Sequence, residues 1–143
     1  MKELVGKWKL DWDRNDNFEE YLKAVGIPML FRKLGKQVVP TEEITQVDDN
    51  TWSLYVVASV RHSRLHFRFG EEIHETTMDG RKCVSRFEVD EEGVLVQYQK
   101  SLNPGVPDTK ITRKRSSSNL FIQEYEAVGT NVKSVRKFVR QEG

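Results

Sequence analysis

From residue 38 onward the sequence is a succession of short segments in which apolar and polar residues alternate. Each segment ends at a cluster of turn-forming residues, at positions 48–50, 61–63, 70–71, 79–80, 90–93, 103–108, 116–119 and 129–131. Such alternation is typical of strands with one buried face, and an earlier strand places Trp8, Leu10 and Trp12 on such a face. Sequential strands joined by tight turns form a meander, and a long meander closes or stacks to protect its edges. The pattern therefore predicts an all-β fold, an antiparallel up-and-down barrel of about ten strands.

A helical segment, residues 17–36, lies between the first strand and the second. Apolar residues recur there at helical spacing, first as Phe18, Tyr21, Leu22 and Val25 and then as Ile27, Leu30, Phe31 and Leu34. The spacing predicts two short amphipathic helices joined by almost no loop, which is a helix-turn-helix. DNA-binding modules of this shape normally belong to helical domains, so the surrounding strands argue against that function.

Local signals predict where the two helices begin and end. Asn17, followed by Glu20 three residues later, predicts an N-cap with a capping box. Gly26 and Gly35 predict the two C-terminal ends, and Pro28 fits the first turn of the second helix.

Length favours a single domain, and the balanced overall charge does not draw the chain to nucleic acid or a membrane. The 143 residues fit one domain, residues 1–143, with no linker that divides them, and 23 Lys and Arg nearly balance 22 Asp and Glu. No apolar run approaches the roughly 20 residues of a membrane span. The single cysteine, Cys83, excludes an internal disulfide and favours a reducing compartment. We therefore expect a monomer in the cytosol.

The width of the predicted barrel suggests that it is hollow. An eight-stranded barrel is filled by side chains or one small ligand, and added strands widen the interior. The apolar faces of the two helices must also be buried, and the open end of the barrel is the natural place. We therefore predict that residues 17–36, called the lid below, cover this end.

Two arginines occupy positions that the alternation predicts to face inward. Arg113 shares its side of a strand with Ile111, and Arg136 shares its side of the last strand with Phe138. For either arginine alone, a core residue paired with a carboxylate is as good an explanation as a residue that binds a ligand. An unpaired buried cation costs several kcal/mol, so a cavity that holds both would favour an anionic guest such as a carboxylate on an apolar tail.

Several stretches of the sequence, in the same order, carry a family resemblance: Gly6-Lys7-Trp8, residues 17–23 followed by Arg32-Lys33, and residues 36–41, 67–70 and 75–82. They resemble the intracellular fatty-acid-binding proteins, the family that includes the cellular retinoid-binding proteins, over nearly the whole chain. The resemblance implies a slightly open ten-stranded barrel, or β-clam, with a helix-turn-helix portal and a cavity for one fatty acid or similar lipid. Two long turns, residues 103–108 and the one near Val128, resemble invertebrate and especially nematode members.

The resemblance also implies how the lipid is held. Family members typically bind the ligand carboxylate with two arginines and a tyrosine. Arg113 and Arg136 occupy the arginine positions, and Phe138 stands where the tyrosine would be, so one hydrogen bond of roughly 0.5–1.5 kcal/mol should be absent. The family's other portal and cavity positions correspond to Phe18, Tyr21, Val25, Pro40, Val60, Arg61, Met78, Asp79 and Ile122. Val60 replaces an aromatic residue common in the family, which implies a wider mouth.

Three basic residues of the lid, Lys23, Arg32 and Lys33, have two interpretations. They form either an ordinary solvated face or a functional patch. Some family members use basic residues at these positions for nuclear import, and others use basic portal helices to contact anionic membranes. The expected partners are therefore a long-chain fatty acid together with an anionic membrane, an import receptor or a nuclear receptor.

No metal, cofactor or catalytic residue is predicted. His66 shares its side of a strand with Arg64 and Arg68, which makes a poor metal site. The carboxylates at positions 71, 72, 75 and 79 have no nucleophile or base partner at a recognisable spacing. We therefore expect a non-enzymatic carrier of fatty acids. The alternatives are a carrier of a retinoid or another lipid, a nucleic-acid-binding barrel, and an enzyme of the wider calycin kind.

Overall fold

Ten strands form one antiparallel sheet in a computed structural model that describes residues 1–141. Residues 142 and 143 of the predicted domain lie outside the described part. The strands are β1 (Gly6–Asp11), β2 (Thr41–Gln46), β3 (Trp52–Ala58), β4 (Arg61–Phe67), β5 (Glu72–Thr76), β6 (Lys82–Val89), β7 (Leu95–Ser101), β8 (Thr109–Ser117), β9 (Leu120–Ala127) and β10 (Lys133–Arg140). Helices α1 (Phe18–Ala24) and α2 (Met29–Lys36) lie between β1 and β2.

Pairing of the first strand with the last closes most of the sheet into a barrel. The order runs from β4 back to β1, continues to β10, and then returns to β5. Within residues 1–141, β4 and β5 are therefore the two unpaired edges of a nearly closed barrel. Buried and exposed residues alternate along β10 as the period-two pattern requires. The predicted ten-stranded up-and-down barrel with helices between its first two strands is confirmed.

Two apolar clusters occupy different levels of the barrel. The larger cluster includes Trp8, Phe121 and Phe138, whose rings stack or meet edge to face at centroid distances of 4.8 and 4.9 Å. The smaller cluster joins Tyr21 and Leu22 of α1 to Ala127 at the far end of β9 from Phe121. Trp12 follows β1 and is 45% exposed, so its predicted place on the buried face is wrong.

The first lid helix ends where the sequence predicts but begins with a different cap. Gly26 has φ +87°, and the amide of Ile27 donates to the Leu22 carbonyl at 2.9 Å, which closes the helix end. Asn17 makes no capping hydrogen bond, because its side chain donates instead to the Lys133 carbonyl at 2.8 Å. Asp16 accepts from the Phe18 amide at 2.9 Å, so the predicted capping box is wrong.

The second lid helix has its apolar stripe in solvent. Leu30, Phe31 and Leu34 are each more than half exposed, so the prediction that these three residues cover the barrel mouth is wrong. Ile27, the first residue of the predicted stripe, is buried in the smaller apolar cluster. Gly35 does not end α2 but lies within it, where a Cβ atom would be 3.3 Å from the Leu22 side chain. The glycine therefore lets α2 approach α1 closely, and this contact leaves the apolar stripe facing outward.

Candidate functional site

A cavity of about 120 Å³ lies inside the barrel beneath α1. Its apolar wall comes from strand residues, with two aromatic residues of α1, Phe18 and Tyr21, on the lid side. Its charged members are two cations and three carboxylates, namely Arg81, Arg113, Glu42, Glu75 and Asp79. Sites for small molecules typically measure roughly 300–1,000 Å³, so the cavity is small in this conformation.

Arg113 and Arg136 both face the interior, which confirms their predicted orientation. Each is 2% exposed, and Gln123 lies between them, because it pairs with Arg113 on one side and with Arg136 on the other. The three side chains therefore form one polar row across β8, β9 and β10.

Each arginine of this row is paired with a carboxylate. The Nε of Arg113 donates to Glu42 at 2.9 Å, and its Nη1 donates to Gln97 at 3.0 Å. The Nε of Arg136 donates to Asp16 at 2.8 Å. The pairing offsets most of the cost of burying these cations without any ligand. Within residues 1–141, Nη2 of Arg136 is buried and has no hydrogen-bond partner.

Arg113 lines the cavity, whereas Arg136 does not. The Arg136 guanidinium lies 3.9 Å from the centre of the Phe18 ring, which itself forms part of the cavity wall. Phe138 lies deeper, stacked on Phe121 at 4.9 Å in the larger apolar cluster. The three residues that the family resemblance groups around a ligand carboxylate therefore sit at different places relative to the cavity.

Among the remaining predicted ligand residues, four also line the cavity: Phe18, Tyr21, Met78 and Asp79. Val25 is buried in the smaller apolar cluster, while Pro40 is half-buried and its carbonyl accepts from the Leu10 amide. Neither contributes to the cavity wall.

Three predicted positions lie outside the cavity for clear structural reasons. Val60 is 93% exposed in the turn between β3 and β4, and Arg61 donates to the Met78 carbonyl at 3.1 Å. Ile122 lies between Phe121 and Gln123, whose side chains are buried. Because neighbouring residues of a strand face opposite sides, Ile122 is on the outer face and does not line the cavity.

Arg81 is a cavity residue that the sequence reasoning missed. It is 8% exposed, its Nε donates to Asp79 at 2.8 Å, and its Nη2 donates to the Tyr21 hydroxyl at 3.1 Å. Burial opposes its charged form, but the bonds with Asp79 and Tyr21 prevail and hold its pKa above the ordinary arginine value. Burial raises the pKa of Tyr21, and the nearby Arg81 partly opposes that rise. Alternation along the strand could have identified Arg81, because it lies two positions before the buried Cys83 and so faces the same side.

Glu75 is a second missed residue, on β5, where it pairs with Cys83 of β6. One of its carboxylate oxygens accepts from the hydroxyl of Ser85 at 2.5 Å and from the amides of Gln97 and Gln99 at 3.1 and 3.2 Å. Burial, followed by the proximity of Glu75, raises the pKa of the Cys83 thiol to about 11. The thiol therefore stays protonated at neutral pH.

The basic residues of the lid are not equivalent. Lys23 and Lys33 are exposed, whereas Arg32 is half-buried and donates from Nη1 to the Ile27 carbonyl at 2.8 Å. Arg32 thus connects α2 to the end of α1. Among residues 1–141, neither helix is long and apolar enough to span a membrane.

The sequence also matches the model of the lipocalin and cytosolic fatty-acid binding protein family over residues 5–141. The chain belongs to this family. A similar fatty-acid-binding protein is fatty acid-binding protein homolog 6 of Caenorhabditis elegans, which is 35% identical over 98% of both chains. Cellular retinoic acid-binding protein 2 of Rattus norvegicus is 34% identical over 99% of this chain and 100% of that protein.

Solved structures support the same assignment. The Schistosoma mansoni fatty acid binding protein in complex with arachidonic acid has a TM-score of 0.86 and 27% identity, and the match covers 99% of this chain and 98% of that chain. The resemblance seen in the sequence motifs is therefore confirmed. As a member of the fatty-acid-binding protein family, the chain is related to proteins that bind and carry lipids.

Proposed function

We propose that this protein is a non-enzymatic carrier that binds one long-chain fatty acid inside the barrel and transports it in the cytosol. Family membership and the fatty-acid-binding and retinoic-acid-binding relatives support lipid binding. The observation that carries the proposal is a barrel cavity whose polar wall includes Arg113, with the second buried arginine, Arg136, next to it. These two cations give the interior a place for an anionic head group.

The proposed carboxylate site is the row of Arg113, Gln123 and Arg136. Within residues 1–141, Nη2 of Arg113 makes no hydrogen bond, and Nη2 of Arg136 is buried without a partner. A carboxylate is the natural acceptor for such N–H groups, because charge-assisted hydrogen bonds are roughly twice as strong as neutral ones. Phe138 supplies no hydroxyl, so the two guanidinium groups are the charged donors that hold the carboxylate.

Binding a long chain requires the interior to widen. The cavity of about 120 Å³ is smaller than typical ligand sites. The unpaired edges β4 and β5 are the natural place for this change, because no ladder of backbone hydrogen bonds joins them. The bond from Arg61 to the Met78 carbonyl is one contact that would yield. Burial of the tail supplies the driving force, about 0.8 kcal/mol per CH₂ group.

A comparison of oleate with oleyl alcohol tests the carboxylate site. We expect the double variant Asp16→Asn/Arg136→Met to weaken oleate roughly tenfold and to change oleyl alcohol little. Changing Asp16 together with Arg136 avoids leaving a buried carboxylate unpaired, and asparagine keeps the oxygen that caps α1. Affinities follow from displacement of a fluorescent fatty acid from delipidated protein.

Lys137→Ala is the matched control, because it removes an exposed cation from the same strand. Equal losses for the acid and the alcohol in the double variant would place the carboxylate elsewhere. If the unaltered protein binds neither compound, the carrier proposal itself is wrong.

A retinoid is the second candidate ligand, because a retinoic acid-binding protein is 34% identical over almost the whole chain. The same displacement assay with retinoic acid distinguishes the two ligand classes. Tighter binding of retinoic acid than of oleate would favour the retinoid.

The lid is proposed to deliver the lipid to an anionic membrane or to carry it into the nucleus. Lys23 and Lys33 are exposed, and the neighbouring apolar stripe of α2 is exposed as well. Basic and apolar side chains together suit the surface of an anionic bilayer. Import and nuclear receptors remain the alternative partners.

Lys23→Ala/Lys33→Ala removes the charge without disturbing the bond of Arg32 to Ile27. We expect slower transfer of a fluorescent fatty acid to anionic vesicles, or lower nuclear accumulation, or both. Lys9→Ala/Lys137→Ala removes the same charge from exposed positions on the barrel wall and serves as the control. No change in either measurement would reject this role, and adding Arg32→Ala tests whether the third basic residue contributes.

A further inference from the structure

We propose that the cavity contains a second polar subsite, formed by Glu75 and Gln99, that accepts a hydrogen bond from a hydroxyl group of the bound lipid. The inference rests on the proposed carrier function and makes its substrate class narrower. The preferred ligand is a fatty acid with a hydroxyl close to its carboxylate rather than a plain fatty acid.

The first observation is the uneven use of the two Glu75 oxygens. Oε1 accepts from Ser85, Gln97 and Gln99 at 2.5 to 3.2 Å, and the Cys83 sulfur lies 3.9 Å away. Within residues 1–141, Oε2 accepts no hydrogen bond. A carboxylate has acceptor capacity on both oxygens, so Oε2 is an unused acceptor on a residue of the cavity wall.

Gln99 supplies a second, independent acceptor at the same place. Its side-chain amide donates to Glu75, and the residue is only 5% exposed. Its Oε1 is buried and has no hydrogen-bond partner in the described part of the chain, residues 1–141. An unsatisfied buried acceptor is costly, and each one in a native protein calls for an explanation. Oε2 of Glu75 and Oε1 of Gln99 are both acceptors on side chains that are hydrogen-bonded to each other, so a group that donates hydrogen bonds complements them.

The charges of the cavity wall favour the same kind of guest. Arg81 is paired with Asp79, and Arg113 is paired with Glu42. Within residues 1–141, Glu75 forms no salt bridge. The wall therefore carries one carboxylate that no cation neutralises, and a donor in the ligand complements it better than a plain hydrocarbon chain.

Gln97 indicates where along the lipid the hydroxyl group should lie, because it bridges Arg113 and Glu75. Its Oε1 accepts from Arg113 at 3.0 Å, and its Nε2 donates to Glu75 at 3.1 Å, so a single amide group separates the cation from the carboxylate. A ligand whose carboxylate contacts Arg113 can therefore reach Glu75 only with a donor a few bonds away. A hydroxyl on the β-carbon of a fatty acid meets this requirement, whereas a hydroxyl at the ω end does not.

Three ligands of equal chain length test the subsite: palmitate, β-hydroxypalmitate and ω-hydroxypalmitate, each displacing a fluorescent fatty acid from the delipidated protein. We expect β-hydroxypalmitate to bind about fivefold more tightly than palmitate, the size of one net hydrogen bond, and ω-hydroxypalmitate to show no such gain. Equal affinities of palmitate and β-hydroxypalmitate overturn the subsite and leave the carrier function intact. If none of the three binds, both proposals fail.

Glu75→Gln assigns the preference to this carboxylate. The variant keeps the shape, and its amide oxygen can still accept from Ser85, Gln97 and Gln99, but an N–H group replaces Oε2. We expect the preference for the β-hydroxyl to disappear while palmitate still binds. Gln99→Met, which removes the second acceptor, should reduce the preference and keeps the test decisive if Glu75→Gln does not fold. A preference that survives in the folded variants places the acceptor elsewhere and overturns the proposal.

Discussion

The two helices of the lid have nearly the same apolar pattern, but only the apolar face of α1 is buried against the barrel. In α1, Tyr21 and Leu22 are 1% and 2% exposed, whereas in α2 Leu30 and Leu34 are 67% and 54% exposed. Apolar spacing predicts that a helix forms and which face is apolar. What covers that face is decided by contacts distant in sequence, which helical spacing does not encode.

The contacts of α1 explain the difference. Its apolar face packs on residues at the ends of β9 and β10, and the Tyr21 hydroxyl is 2.8 Å from the Thr109 hydroxyl of β8. By contrast, α2 contacts α1 through Gly35, through the bond from Arg32 to the Ile27 carbonyl, and through an exposed ion pair between Lys36 and Glu19 at 3.3 Å. We therefore expect the free energy of unfolding to depend strongly on α1 and weakly on α2.

Leu22→Ala should produce the largest loss. The side chain is 2% exposed and lies between the barrel strands and Gly35, so its removal leaves a cavity. We expect a loss of about 3 kcal/mol in the free energy of unfolding, measured by urea denaturation. A loss below about 1 kcal/mol would mean that α1 is as loosely attached as α2.

Tyr21→Phe tests the polar part of the same attachment. The variant keeps the ring but leaves Thr109 and Arg81 without their hydroxyl partner, at 2.8 and 3.1 Å. We expect a loss of about 1–2 kcal/mol, since groups that remain buried lose a hydrogen bond. If urea denaturation shows no loss, apolar packing alone attaches α1.

Arg32→Met tests the link between the helices. The variant removes the hydrogen bond to the Ile27 carbonyl and retains most of the apolar stem. We expect a loss of about 1 kcal/mol, together with faster amide hydrogen exchange in α2 than in α1. Lys33→Met is the control, because Lys33 is its exposed neighbour in the same helix. Similar exchange rates in both variants would show that this bond does not hold α2.

Leu34→Ala should have the smallest effect and is the direct counterpart of Leu22→Ala. Leu34 is 54% exposed, so we expect a change within about 0.5 kcal/mol by the same urea measurement. A loss as large as that of Leu22→Ala would show that the two apolar faces are both buried in solution, and the contrast between the helices would disappear.

The barrel and the inward arginines were predictable because they depend on alternation along a strand. Arg113 and Arg136 were identified in this way, and both are buried. Their carboxylate partners were not, because Glu42 and Asp16 lie 71 and 120 residues away along the chain. Spacing along a strand says nothing about such contacts.

The side of a strand on which a residue lies also explains why Ile122 was assigned to the cavity and why Arg81 was not. The family resemblance assigned Ile122 to the cavity, but a shift of one position along a strand reverses the face, and Gln123 is the residue that lines the cavity. Arg81 was omitted because its position at the end of a turn hid the parity that it shares with Cys83. The contacts of Glu75 with Gln97 and Gln99 join residues 22 and 24 positions apart, so they depend on the fold and not on spacing along a strand.

The unpaired edges β4 and β5, where we propose that the barrel widens, are also the place where a second chain could pair with the sheet. An unpaired edge presents backbone groups to which a second chain can add a strand, which is a first step toward aggregation. Arg61 and Arg64 are exposed along β4, and Glu72 is exposed on β5, so the edges remain hydrated and charged. Charged side chains on both edges therefore oppose the addition of a second chain at the place where we propose that the barrel widens.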